Sequence, residues 1–176
     1  MKQNILIVCY DYDISKAVAK QLANLFSMRL FDQKELFEFD HMPRTFSEVY
    51  DSYGKDYILK KMKSIVKMEL DFDDAIFVAD ISFADNCFDM FYKIKLSNFV
   101  VLLKKDNETE VRELNNKKYE TKEEKEYYSL DANTIKKREF AISYDLADVV
   151  INIENMTNEQ IAREIVDKIK NYYSVN

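Results

Sequence analysis

One glycine and one proline stand in 176 residues, where average usage would give about twelve and about nine. Gly54 alone excludes every motif that needs several glycines. No glycine-rich phosphate loop, dinucleotide fingerprint or nucleophile elbow can be written. Only His41, Cys9 and Cys87 represent histidine and cysteine, and neither cysteine belongs to a CxxC pair. That inventory leaves no ordinary His/Cys zinc site and no Ser-His-Asp triad. His41 falls in a polar segment before Pro43 and is expected to face solvent. Both cysteines lie amid apolar neighbours and are expected to be reduced core residues of a cytosolic protein.

Positive charge is also short. The net charge is −6, and a chain of that sign gains nothing from a phosphate backbone, so nucleic acid is not an expected partner. Long apolar runs are missing as well. Ile5 to Tyr10 is followed at once by Asp11, too short for a signal peptide, and nothing approaches the length of a membrane span. The expectation is a cytoplasmic protein without a membrane partner.

What is present suits a folded chain. Hydrophobic residues make up 47% and charged residues 33%, which argues against disorder. The length fits a single domain over 1–176. Four continuous, β-branched runs read as strands buried on both faces: Ile5–Tyr10, Ala75–Ala79, Phe99–Leu103 and Val149–Ile153. Met28–Phe31 reads as a shorter fifth strand. Helical spacing marks Ile14–Phe26, with Asp13 as its N-cap, and the apolar positions Ile14, Val18, Leu22, Leu25 and Phe26. Thr45 to Glu48 and Thr157 to Gln160 spell capping boxes. Further helices are expected over Asp56–Leu70, over Asp85–Leu96 with Phe88, Phe91, Tyr92 and Leu96 on one face, and in two pieces over Lys122–Tyr144. A charged stretch at about 105–130 reads either as a mobile lid or as a solvated helical arm. Strand alternating with helix predicts an α/β fold: a three-layer α/β/α sandwich around a parallel sheet of about five strands.

The order of elements resembles the shikimate kinase family, a pattern shared with cytidylate and dephospho-CoA kinases. Asn4-Ile5-Leu6-Ile7-Val8 followed by Val18-Ala19-Lys20-Gln21-Leu22-Ala23 looks like that family's first strand and first helix. Phe31-Asp32-Gln33-Lys34 looks like its Asp-x-Asp. Thr45 to Tyr50 with Tyr53-Gly54-Lys55 looks like its short helix and Gly-Glu pair. Tyr144 to Ile151 looks like its last strand. The resemblance implies the topology of the nucleoside-monophosphate kinases, with the first strand central.

The same alignment shows departures. The family's phosphate loop, G-x-x-x-x-G-K-[ST], falls on Cys9, Ile14, Ser15 and Lys16. Both glycines are absent, and Tyr10-Asp11-Tyr12-Asp13 fills the interval. Two carboxylates at a helix N-terminus would take its positive end and repel a triphosphate. The second Asp of Asp-x-Asp is Lys34, and the Arg after the Gly-Glu helix is Leu59. Asp32 remains where the family organises magnesium. Arg138 lies one residue out of register with a substrate-binding Arg, and Lys117 and Lys118 lie where the lid carries one.

The reading taken is a shikimate-kinase-like protein that has lost ATP binding and catalysis and acts by binding a protein or small molecule. No cofactor is expected on that reading. One alternative is a divergent phosphotransferase using ATP and Mg²⁺, with Asp32 and Arg138 catalytic and Lys16 and Lys117 on phosphates. The other is an unrelated α/β binding or signalling protein. Asp11, Asp13, Asp32, Asp80 and Asp85 all follow strand ends on one sheet edge. They form either an acidic cation site, with Asp11, Asp32 and Asp80 as ligands, or helix caps and solvated groups. Of the aromatic residues, Phe26, Phe77, Phe88, Phe91 and Phe99 are expected in the core. Exposed members of Tyr10, Tyr12, Tyr50, Tyr53 and Tyr57 would instead form a partner surface.

Overall fold

The structure, a computed structural model, describes residues 4–80, 83–116, 118, 122, 125 and 132–175. In chain order the strands are β1 (Asn4–Cys9), β2 (Arg29–Asp32), β3 (Ala75–Asp80), β4 (Asn98–Lys104) and β5 (Val149–Asn152). The helices are α1 (Tyr12–Phe26), α2 (Gln33–His41), α3 (Phe46–Glu69), α4 (Phe83–Cys87), α5 (Phe91–Ser97), α6 (Asn107–Asn116), α7 (Ala132–Ala141) and α8 (Asn158–Val175). A 3₁₀ turn at Phe88–Met90 precedes α5, and a π turn at Ile142–Leu146 follows α7.

All five strands run parallel in the order β2-β3-β1-β4-β5, which puts β1 at the centre. The continuous apolar runs are explained by burial on both faces. Alternate residues of β1 serve opposite cores. Leu6 and Val8 join Phe77, Val100 and Leu102 beneath α3, α4, α5 and α7. Ile5, Ile7 and Cys9 join Val78, Val101 and Leu103 beneath α1 and α8. Asn4 ties the strand starts together: its side-chain amide donates to Phe72 O at 2.7 Å and its carbonyl accepts from Ala75 N at 3.1 Å.

A third, smaller cluster lies between α2 and α3, formed by Phe37, Val49, Ile58 and Met62. Thr45 caps α3 in a full capping box with Glu48. The helix changes direction at Gly54, where φ is 75° and ψ is 176°. Only glycine visits that region readily. The second capping box also forms, with Thr157 N on Gln160 Oε1 at 2.8 Å and Gln160 N on Thr157 Oγ1 at 3.3 Å.

Several expectations need correction. The first helix starts at Tyr12, and its N-cap is Asp11 rather than Asp13. Asp85 is no cap either, since it lies in the first turn of α4. The helix expected over Asp85–Leu96 is broken by the 3₁₀ turn. That break shifts the helical phase, so Phe83, Cys87, Met90, Phe91 and Ile94 point inward while Phe88, Tyr92 and Leu96 are exposed. Leu25 and Phe26 are also exposed, because α1 runs past the edge of its core. His41 is half-buried at the end of α2: Nδ1 meets Phe37 O at 2.7 Å and Nε2 meets the Tyr57 hydroxyl at 3.1 Å. Tyr10 is buried and therefore offers no partner surface, whereas Tyr53 is exposed and stacks on Tyr57 at 4.6 Å. Cys9 and Cys87 are buried, as expected, and neither forms a disulfide.

Of the lid expected at about 105–130, the first part is α6, while most of 117–131 lies outside the described residues. The helical piece expected from Lys122 to a break near Asp131 falls there too. No helix among the described residues is long and apolar enough to cross a membrane.

Candidate functional site

In open parallel α/β sheets ligands bind at the carboxyl ends of the strands. Here β1 passes into α1 through two residues, Tyr10 and Asp11. Tyr10 turns into the core and its hydroxyl donates to Ile135 O at 2.9 Å. Burial, aided by the nearby Glu110 and Glu139 carboxyls, pushes that phenol well above its usual range. Asp11 turns back onto the helix, and its Oδ1 accepts from Asp13 N at 3.1 Å. Ser15, in the place of the family lysine, is fully buried and donates from Oγ to Tyr12 O at 2.9 Å. The helix start is thus occupied by the chain's own carboxylate, and α1 is regular from Tyr12 onward.

Asp32 ends β2 and caps α2. Its Oδ1 accepts from Lys34 N at 3.0 Å and from Glu35 N at 3.2 Å. Its Oδ2 accepts from the Tyr12 hydroxyl. The Lys16 ammonium stands 3.6 Å from the same oxygen and pairs with Glu35 as well. The Glu35 bond holds Lys16 above the usual lysine range, opposed by partial burial and assisted by Asp32. Burial and the bond to Asp32 push the Tyr12 phenol up as well. The ammonium groups of Lys16 and Lys34 lie 5.4 and 5.5 Å from the Tyr12 ring centroid, within cation–π range.

Arg138, on α7, is buried and donates through Nε to Asp85 Oδ2 at 2.9 Å and through a terminal nitrogen to the same oxygen. Asp80 ends β3 opposite Cys9 in register. Lys117 lies outside the described residues. The structure therefore brings Asp32 and Lys16 together and keeps Arg138 with Asp85. Among the described residues no group of three His, Cys, Asp or Glu side chains could hold a metal ion.

A cavity of about 470 Å³ opens beside the β1–α1 turn, between that turn and α6, with Ile153 after β5 on one side. Its α6 wall includes Glu110, which is 3% exposed. Sequence reasoning missed Glu110 because it sits in a charged stretch. The available signal was Asp106, whose Oδ1 caps α6 by accepting from Glu108 N and Thr109 N, both at 3.0 Å. Asp is a favoured N-cap residue, and a helix starting after Asp106 gives Glu110 and Val111 an inner face.

Comparison with solved structures agrees with this geometry at the level of fold. Shikimate kinase from Acinetobacter baumannii, in complex with shikimate, superposes with a TM-score of 0.75 at 16% identity, covering 98% of this chain and 95% of that one. Shikimate kinase from Aquifex aeolicus gives 0.74 at 14%, covering 97% and 98%. A gluconokinase from Sinorhizobium meliloti gives 0.63 at 8%, covering 99% and 98%. No protein-family profile and no curated protein sequence matches the chain.

Proposed function

We propose that this chain, which has the fold of shikimate kinases and related small P-loop kinases, no longer binds ATP or transfers phosphate and acts by binding a small molecule or a protein. The observation that carries this reading is the two-residue β1–α1 turn capped by Asp11. A phosphate loop binds by pointing free backbone N–H groups and a positive helix end at the anion. Here a carboxylate accepts one of those N–H groups, and Asp13 adds a second negative charge in the first turn. Asp32 is engaged by Tyr12, Lys16 and two backbone amides, and Arg138 by Asp85. The setting we propose is the cytoplasm, in keeping with two buried cysteines that form no disulfide. Calorimetric titration with ATP·Mg tests the reading. The expected result is no binding tighter than millimolar, and micromolar affinity overturns it.

A second reading draws on the 3.6 Å approach of Lys16 to Asp32. A cation and a carboxylate so close could serve a phosphate and its Mg²⁺ in a divergent phosphotransferase. ATP-dependent phosphorylation of shikimate or another small alcohol, lost in Asp32→Asn, would establish that reading in place of the first.

A further inference from the structure

We propose that the chain self-associates weakly, one copy seating the outer stripe of α2 on the aromatic, lysine-rimmed face that α5 and the end of α7 present in another. The proposal goes beyond the reading of lost nucleotide binding and does not depend on it.

The receiving face follows from the break in phase before α5. The 3₁₀ turn at Phe88–Met90 sends Phe91 and Ile94 inward and leaves Phe88, Tyr92 and Leu96 outside. Lys95 Nζ donates to Asp145 O at 3.3 Å, which holds the π turn against α5 and sets Tyr144 beside it. Phe140 stacks on Tyr144 with ring centroids 5.4 Å apart. None of these five apolar side chains is less than 61% exposed. At roughly 200 Å² for a side chain of this size, they open on the order of 600 Å² of apolar surface. A patch that large is at the upper end for a monomer and marks an interaction site.

Charge selects the occupant. Lys93 follows Tyr92, and Lys136 and Lys137 precede Phe140 by one turn, all three exposed. Asp89 is paired with Lys63 at 2.5 Å and Asp85 with Arg138. With Asp145 as the remaining acid, the face is positive on a chain whose net charge is −6. Such a face calls for a partner that is apolar and acidic. The outer side of α2 has that character. Glu35, Glu38, Phe39 and Met42 follow one another at helical spacing, which puts them on a single stripe. Phe39 is 76% exposed and Met42 70%. The cations nearby are engaged within the chain: Lys16 on Glu35, Lys61 on Asp40, and Arg44 donating to the Tyr53 hydroxyl. Glu38 stands exposed beside Phe39. Phe39 and Met42 bring on the order of 300 Å² to the contact, well short of the roughly 800 Å² per partner of a standard stable interface. The contact is therefore weak and forms at high protein concentration.

A dilution series of the full chain, followed by amide NMR and sedimentation velocity, tests this. With rising concentration the amides of Glu38 to Met42 and of Phe88 to Leu96 are expected to shift together while the sedimentation coefficient climbs. Added salt is expected to weaken both responses. Two variants at exposed positions separate the two surfaces. Phe39→Ala with Glu38→Lys disables the stripe, and Tyr92→Ala with Lys93→Glu disables the face. Each alone is expected to associate at least roughly tenfold more weakly than the parent chain. An equimolar mixture is expected to recover association, because one variant keeps the face and the other keeps the stripe. If either double variant does not fold by circular dichroism, Glu38→Lys and Lys93→Glu alone carry the same comparison. A parent chain that stays monomeric at millimolar concentration, folded variants that associate like the parent, or a mixture no stronger than its components overturns the proposal. So does a monomeric parent that binds phosphatidylserine vesicles through Lys93, since an anionic surface would then be the occupant.

Discussion

The Tyr12 hydroxyl donates to Oδ2 of Asp32, joining the first turn of α1 to the residue that ends β2 and caps α2. Asp32 is 3% exposed, so this bond satisfies a carboxylate that water scarcely reaches. Tyr12→Phe keeps the ring between Lys16 and Lys34 and removes only the donor. The expected loss is about 1–2 kcal/mol in urea denaturation, the range for hydrogen bonds to charged groups. An unchanged midpoint would mean that Lys16 and the cap amides suffice for Asp32.

Asp11 and Asp13 separate cleanly by mutation. Asp11 is the N-cap of α1 and Asp13 sits in its first turn. Asp11→Ala should lower stability by about 1 kcal/mol. Asp13→Ala should cost less, because it removes a favourable charge near the helix N-terminus and leaves the cap in place. Thermal melts of the two variants check the order, and the reverse order would return the cap to Asp13.

Glu69 makes stability depend on pH. Burial pushes its carboxyl from 4.5 up to about 8, against the lowering bond from Gln33 Nε2 at 3.0 Å. The folded chain keeps a proton that the unfolded chain gives up. The stabilisation is therefore complete below about pH 4.5 and declines as pH rises through 8. Glu110 acts in the same direction. Glu69→Gln should flatten part of this slope in denaturation curves at pH 5, 7 and 9, and a slope equal to that of the parent chain would exclude Glu69 as its source.

Divalent cations should leave the melting temperature unchanged at millimolar concentration. Asp11 and Asp32 cap different helices, and family magnesium is held largely through nucleotide phosphates. A rise of several degrees with Mg²⁺ or Ca²⁺, abolished in Asp32→Asn, would reveal a metal-handling edge by linkage.

The sheet was legible in the sequence because strands buried on both faces leave uninterrupted apolar runs, and even the short Met28–Phe31 run found its place as β2. Both capping boxes were legible for a local reason: the partners lie three residues apart. The errors arise where distant contacts decide. The apolar spacing that opens at Ile14 puts the cap on Asp13, whereas Tyr12, which reaches Asp32 twenty positions on, already belongs to the helix. The face of Phe88, Tyr92 and Leu96 fails because a 3₁₀ turn resets the helical phase, and nothing in a 3.6-residue pattern announces it. His41 is drawn inward by Tyr57 of the next helix. Asp32 and Arg138 were found as residues, but their engagement by Tyr12 and Asp85 belongs to tertiary packing. The cavity needed α6 to be in place before Glu110 acquired an inner side.

Gly54 leaves one further consequence. A Cβ added there meets nothing within 4 Å, so the joint in α3 is locked by torsion rather than by crowding. Any other residue would be driven from φ 75° and ψ 176° toward ordinary helical angles, swinging one arm of the helix about the other. The arm bearing Phe46 and Val49 would then leave Phe37, while the arm bearing Val66 could stay on the sheet. Damage at this elbow would loosen the small cluster over α2 and spare the two large cores, dividing one cooperative unit into two parts that melt apart.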